Sequence, residues 1–322
     1  MERSFCEAVR LLPPFLKEPL LFAAERNHTQ IREVTIRAGA PVCVHTSDGI
    51  RFLQKNGFLT TMPPANCSVK MEEVQECLRC LTEYSLQSAQ PQLKQGFLTL
   101  QGGHRAGIAG RAVLQDGQIS YIKEISAISL RIARAVCGCG KRILSEIDWN
   151  ALNGIPSVLI AGPPASGKTT VLRDVIRGLA SGECSRFFRV SVVDERSEIA
   201  ASYHGTSQHD LGITCDVLDG FFKAEGMMLA LRALSPQIIA VDELGSEKDA
   251  DAVLQVMSGG AAMLATVHAD SVSALSKRPM LKQLFAHHCF DFVVLLKSAQ
   301  TPGLIDAIIR ADGIKPWEEN CR

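Results

Sequence analysis

Residues Ile155–Ala180, IPSVLIAGPPASGKTTVLRDVIRGLA, run from an apolar stretch of strand length (Ser157–Ala161) through a loop into a helix with apolar residues at Val171, Leu172, Val175, Ile176 and Leu179. The loop, Gly162-Pro163-Pro164-Ala165-Ser166-Gly167-Lys168-Thr169, fits G-x-x-x-x-G-K-[ST] at every fixed position. Successive backbone N–H groups of such a loop converge on phosphate oxygens. The helix that follows adds the positive end of its dipole. Gly162 and Gly167 permit positive φ and close approach of the backbone. Lys168 is expected to reach the β- and γ-phosphates, and the Thr169 hydroxyl to ligate Mg²⁺. The segment Gly162–Thr170 is therefore the expected cradle for a nucleoside triphosphate. A chance Gly/Ser turn ahead of a helix would read similarly, but the strand before and the helix after argue against chance.

From about residue 150 short apolar runs alternate with helical stretches: SVLIA (157–161), FRVSVVD (188–194), QIIAVDE (237–243), AMLATVH (262–268) and FDFVVLL (290–296). This pattern predicts an α/β fold, a mostly parallel sheet with helices on both faces: a RecA-like P-loop core. Before it, residues 1–140 read as a smaller α+β domain, and 141–322 as the ATPase domain. Helices are expected over 1 to about 30, broken at Pro13-Pro14, and over 70–90, ending near Gln90-Pro91. Strands are expected at Glu33–Arg37, Val42–Val44 and Ile50–Leu53, and at Gly96–Gly103 and His104–Leu114 joined by a Gly-Gly turn. Asp116-Gly117 then closes a hairpin leading to ISYI and to Ala127–Ala133. A helix over 141–148 carries the chain into the second domain.

Composition narrows the choice of partner. Lys+Arg and Asp+Glu both number 34, so no net field favours nucleic acid or an anionic membrane. Hydrophobic residues at 46% and charged residues at 21% allow a sizeable core. The apolar stretches around Val253–Val267 and Phe290–Leu296 are too short or too interrupted to span a bilayer, and the N-terminus does not read as a signal peptide. The eleven cysteines are scattered and suit reduced thiols. Cys77/Cys80 and Cys137/Cys139 together could supply four zinc ligands. Cys77, however, falls in the helical pattern Val74, Cys77, Leu78, Leu81, where cysteine is usually a small core residue.

Asp242 and Glu243 end the apolar run Gln237–Val241, and open α/β sheets hold ligands at the carboxyl ends of their strands. Asp242 is expected to hold Mg²⁺, mainly through water, and Glu243 to polarise the attacking water. Asp194, Glu195, Arg196 and Glu198 end another strand. They read either as a second carboxylate cluster near the γ-phosphate or as a solvated turn with an Asp–Arg pair. His268 ends a third strand, as a γ-phosphate sensor or as a simple strand cap. Hydrolysis also needs positive charge against the γ-phosphate. Arg105, Arg111, Arg131, Arg134, Arg196 and Arg232 are the candidates beside Lys168, each of which reads equally as an exposed arginine.

In order, GPPASGKTT, VVDERSE, LRALSPQIIAVDELG and ATVHA resemble the Walker A, Asp box, Walker B and His box of the type II and type IV secretion ATPases. EVTIRAGAPVCVHTSDG resembles that superfamily's N-terminal sheet domain. GFLTLQGGHRAGIAGRAV, ISLRIAR, DVLDGFFKAEGMMLALRALSPQIIAVDELG and KRPMLKQLF are similar to its sporulation branch, the stage III protein AA family. The resemblance implies a hexameric ring ATPase using ATP and Mg²⁺. It implies a cytoplasmic location, peripheral at the mother-cell face of the outer forespore membrane, and membrane proteins of a sporulation channel as partners. It adds Asp194, Glu195, Glu198 and His268 to Lys168, Thr169, Asp242 and Glu243 as functional positions. The chain departs from the branch's pattern at Thr214 and Ser246, where arginine is common; both changes remove charge near the implied ring interface. Ala165 stands where glycine is common. Two other readings of the core are a nucleic-acid-dependent RecA-like ATPase and an ATP-binding scaffold with little hydrolysis.

Overall fold

The structure, a computed structural model, describes residues 2–27, 30–134, 136–152 and 154–313. The chain divides into two units, Met1–Arg134 and Ala135–Arg322. Among the described residues no helix is long and apolar enough to cross a membrane.

In the first unit, α1 (Arg3–Arg10) and α2 (Pro14–Asn27) are followed by β1 (Ile31–Arg37), β2 (Cys43–Thr46), β3 (Gly49–Leu53) and β4 (Leu59–Thr60). Then come α3 (Met71–Leu81), α4 (Leu86–Lys94), β5 (Phe97–Thr99), β6 (Arg105–Gln115) and β7 (Gln118–Arg131). The strands form one sheet in the order β4-β3-β2-β1-β7-β6-β5, antiparallel throughout. Alternation sorts its two faces. Val34 and Ile36 of β1 join a core with Phe5, Val9, Leu20, Val74 and Leu78. Thr35 between them turns the other way, its hydroxyl 3.2 Å from that of Ser129.

The expected helix over 70–90 is two helices. Glu83 and Tyr84 sit at φ 49° and 60°, left-handed values that no continuous helix tolerates. Pro91 lies inside α4 instead of ending it; its missing N–H removes one bond from a nine-residue helix without stopping it. ISYI and the expected strand at Ala127–Ala133 merge into a single 14-residue strand, β7, which ends at Arg131, two residues short of Ala133. Its pairing with β6 absorbs the extra length through register shifts at Ala109/Arg111 and Val113/Leu114. Cys77 is a fully buried core residue, and among the described residues no three His, Cys, Asp or Glu side chains gather as a metal set.

The second unit begins with α5 (Lys141–Glu146), two residues shorter than the expected 141–148. It continues with β8 (Val158–Gly162), α6 (Lys168–Ala180), β9 (Val190–Asp194), β10 (Cys215–Asp219), α7 (Lys223–Ala233), β11 (Ile238–Val241) and α8 (Glu247–Ser258). The remainder is β12 (Ala262–His268), α9 (Val272–Lys277), α10 (Pro279–Ala286), β13 (Phe292–Leu296) and β14 (Ile305–Arg310). The strand order is β10-β9-β11-β12-β8-β13-β14. All pairings are parallel except that of the edge strand β14 with β13.

Both faces of this sheet are covered. Val158 and Ile160 of β8 pack with Val171, Leu172, Val175 and Ile176 of α6. Leu159 and Ala161 face the other way, into the core built with Ala250, Val253 and Val256 of α8 and Leu281 and Leu284 of α10. Each large aliphatic side chain so buried stabilises the fold by about 1.5–3 kcal/mol. This double burial makes the strands read as unbroken apolar runs. Strands β10 and β14 show no such run, because each buries a single residue fully, Leu218 and Ile305, among half-exposed and exposed ones.

Candidate nucleotide site

Strand β8 is where the order of the sheet reverses: β9 lies to one side of it, with β12 and β11 between, and β13 to the other. Ligands of open α/β sheets sit at such a point, outside the carboxyl ends of the strands. The Gly162–Thr169 loop leaves β8 there. Gly167 takes φ 87° and precedes α6, whose N-terminus carries no side-chain cap. A Cβ at Gly167 would lie 2.6 Å from the backbone nitrogen of Gly303, and Gly303 N–H donates to the Ser166 carbonyl at 2.8 Å. Glycine is thus forced by main chain packed on main chain. The Ser166 side chain is 0% exposed, and its hydroxyl finds no hydrogen-bond partner among the described residues. An uncapped helix start and an unpartnered hydroxyl inside the loop fit an oxygen-rich anion.

Strand β12 runs between β8 and β11, and its side chains bridge the two. Lys168 Nζ donates to the Pro163 carbonyl at 3.0 Å and to His268 Nδ1 at 2.9 Å. An ammonium only donates, so Nδ1 must accept and the imidazole proton sits on Nε2. Nε2 in turn donates to Glu243 Oε1 at 2.8 Å. Thr169 Oγ1 donates to Asp242 Oδ2 at 2.6 Å, and the Thr266 hydroxyl donates to Asp242 Oδ1. Thr266 Oγ1 also accepts the Glu243 N–H at 2.8 Å. That bond helps hold Glu243 at φ 55°, a strained value for a non-glycine residue. Burial pushes the Asp242 carboxyl up, against the pull of the Thr169 and Thr266 hydroxyls. Burial likewise pulls the Lys168 ammonium down, opposed by Glu243, Asp242 and Asp270. The Thr169 hydroxyl and the Asp242 carboxylate are hard oxygen donors side by side, a set that fits Mg²⁺.

The acidic end of β9 is built differently. The Asp194 carboxylate is 2% exposed and turns inward. It accepts N–H bonds from Glu198 (2.8 Å), Ile199 (3.0 Å) and Ala200 (2.8 Å). Glu195 pairs with Lys223. Arg196 Nη1 approaches Glu243 Oε2 at 3.9 Å. A cleft of about 680 Å³ opens beside Glu243 and His268, lined also by Glu195, Arg196, Phe222 and Arg278. The other candidate arginines are engaged elsewhere. Arg105 lies over the Phe97 ring, Arg131 pairs with Glu33, Arg134 with Glu2, and Arg111 stands 3.7 Å from Glu124. Arg232 donates to the Met228 carbonyl.

The two departures from the family pattern have work of their own. Thr214 Oγ1 lies within hydrogen-bond distance of the carbonyls of Ala180 (3.0 Å) and Phe188 (2.6 Å). Ser246 caps α8 in a capping box with Asp249. Thr266 was not singled out by sequence. Its signal was its position two residues before His268, which puts both on one face of β12.

A phosphate loop at the reversal of a parallel sheet, with a strand between it and the Asp-Glu strand, defines a RecA-like P-loop core of the kind found in the secretion ATPases. The solved structures agree. The pilus retraction motor PilT, crystallised with ADP, superimposes with a TM-score of 0.57 at 17% identity, over 86% of this chain and 77% of that one. The Legionella pneumophila ATPase DotB does so at 0.54 and 18%, over 89% and 76%. Within that class the chain belongs to the family described as Sporulation stage III, protein AA, which matches residues 7–315. It is 35% identical over 309 residues to the Stage III sporulation protein AA of Bacillus subtilis (strain 168), covering 95% of each chain.

Proposed function

We propose that the protein is an ATP-hydrolysing member of this sporulation family, working as a hexameric ring at a membrane channel between mother cell and forespore. The observation that supports hydrolysis is the continuous wiring Lys168–His268–Glu243 alongside Thr169–Asp242–Thr266, with Lys168–His268 at 2.9 Å, His268–Glu243 at 2.8 Å and Thr169–Asp242 at 2.6 Å. The main-chain cradle and Lys168 grip the β- and γ-phosphates. Thr169 and Asp242 hold Mg²⁺, which neutralises charge on the phosphates when bound. Glu243 orients the attacking water and accepts its proton. His268, neutral with its proton on Nε2, keeps Glu243 and the Lys168 ammonium aligned until the γ-phosphate draws Lys168 away.

Membership of the family supports the sporulation role, and the likeness to motor ATPases supports the ring. Attachment to a membrane would run through partner proteins of the channel. The test is ATP turnover by the purified chain, with particle size measured in the same samples. Lys168→Ala should abolish turnover, since the phosphates lose their only buried cation in the loop. Normal turnover in that variant would sink the reading.

A further inference from the structure

We propose that Arg173 is a positioning residue: it ties the phosphate-loop helix to the acidic turn after β9, and so fixes where Glu195 and Glu198 stand relative to Asp242 and Glu243. The inference rests on the hydrolytic reading above, and on bonds outside the motifs. Arg173 lies one helical turn after Thr169 on α6, so the two side chains share a face of the helix. Its guanidinium leaves the helix and donates twice to main chain, from Nε to the Ile199 carbonyl at 2.8 Å and from Nη2 to the Glu198 carbonyl at 2.7 Å.

Those residues are also the ones whose N–H groups Asp194 holds. The peptide groups around 198–199 are therefore gripped at both polarities, the N–H side from β9 and the C=O side from α6. The turn needs such support. Ser197 and Ala201, on either side of it, take φ 52° and 48°, strained for residues with a Cβ. The fork geometry of arginine suits two adjacent carbonyls, which a lysine ammonium would serve only as a point charge. Because α6 is a single 13-residue helix starting at the phosphate loop, any shift at Lys168 and Thr169 is carried through Arg173 to the acidic turn.

The test uses Arg173→Lys and, as a control on the same helix, Arg177→Lys, whose parent pairs with Asp174 and Glu183 and not with the turn. Amide hydrogen exchange of the full-length chain should quicken at 198–200 by about tenfold in Arg173→Lys, with the amides of α6 unchanged. The kcat for ATP should fall on the order of 10- to 100-fold, the usual consequence of a misplaced site, while KM holds. Arg177→Lys should alter neither. Unchanged exchange at 198–200 in Arg173→Lys, or fast exchange there already in the natural chain, overturns the inference. So does a kcat that falls only in step with KM and thermal stability. Should the natural chain turn over no ATP, the hydrolytic reading fails, and the exchange measurement still decides the tie by itself.

Discussion

Strands β9 and β11 lie side by side, Val193 paired with Val241, and each of these valines is followed by the same two residues, Asp-Glu. Their surroundings give the two dipeptides opposite work. Asp242 meets hydroxyls: Thr169 from the phosphate loop and Thr266 from β12. Asp194 accepts its three hydrogen bonds from backbone N–H groups, because the chain after it doubles back at once into the 197–200 turn. Glu243 faces a histidine wired to the phosphate-loop lysine, whereas Glu195 faces a lysine from α7. A pair of acids at a strand end is thus an ambiguous letter. Whether it serves the ligand or the fold depends on what the following few residues do.

That contrast can be broken from either side. The largest effect belongs to Glu243→Gln, which should cut ATP turnover by roughly 10²- to 10⁴-fold while leaving ATP bound, read by single-turnover hydrolysis beside equilibrium binding. An equal loss from Glu195→Gln would erase the difference between the strands. Next comes Asp194→Asn, which puts an amide among three N–H donors and should lower unfolding stability by about 1–3 kcal/mol in urea titrations. The corresponding Asp242→Asn should be much milder toward urea and should weaken the Mg²⁺ dependence of turnover.

A third measure is pH. Burial raises the Asp194 carboxyl from 3.8 to about 6. The folded chain therefore holds this proton more tightly than the unfolded one, and the stability it contributes is present below about pH 4 and lost as pH rises through 6. The stability difference between the natural chain and Asp194→Asn should accordingly widen as pH falls from 6.5 to 4.5. A difference that narrows would mean that the three N–H bonds outweigh burial. The smallest effect is on the Glu195–Lys223 pair, partly exposed on both sides. Its loss in Glu195→Gln should cost under about 1 kcal/mol and fade in salt.

How far the sequence foretold this depends on what each feature is made of. The phosphate loop and the five inner strands of the second sheet were legible, since glycines at fixed spacing and doubly buried apolar runs are both written in side chains. The split between α3 and α4 was not, because Glu83 and Tyr84 take left-handed backbone that their residue types do not announce. Strands β10 and β14 were hidden by mixed exposure. Asp194 and Arg173 were illegible for a common reason: their partners are peptide N–H and C=O groups, which every residue carries and no pattern records.

The contact of Gly303 with Gly167 and the Ser166 carbonyl joins the β13–β14 connection to the phosphate loop without a single side chain. Such a seam has no adjustable part. Residues on either side may vary in chemistry, but the number of residues between β13 and Gly303 may not, because one more or one fewer would shift the nitrogen that Ser166 accepts from. Loop length at this edge of the sheet is in this way a dimension of the Gly162–Thr169 loop, and insertions or tags placed between 297 and 303 should displace Ser166 and Gly167 before the rest of the fold.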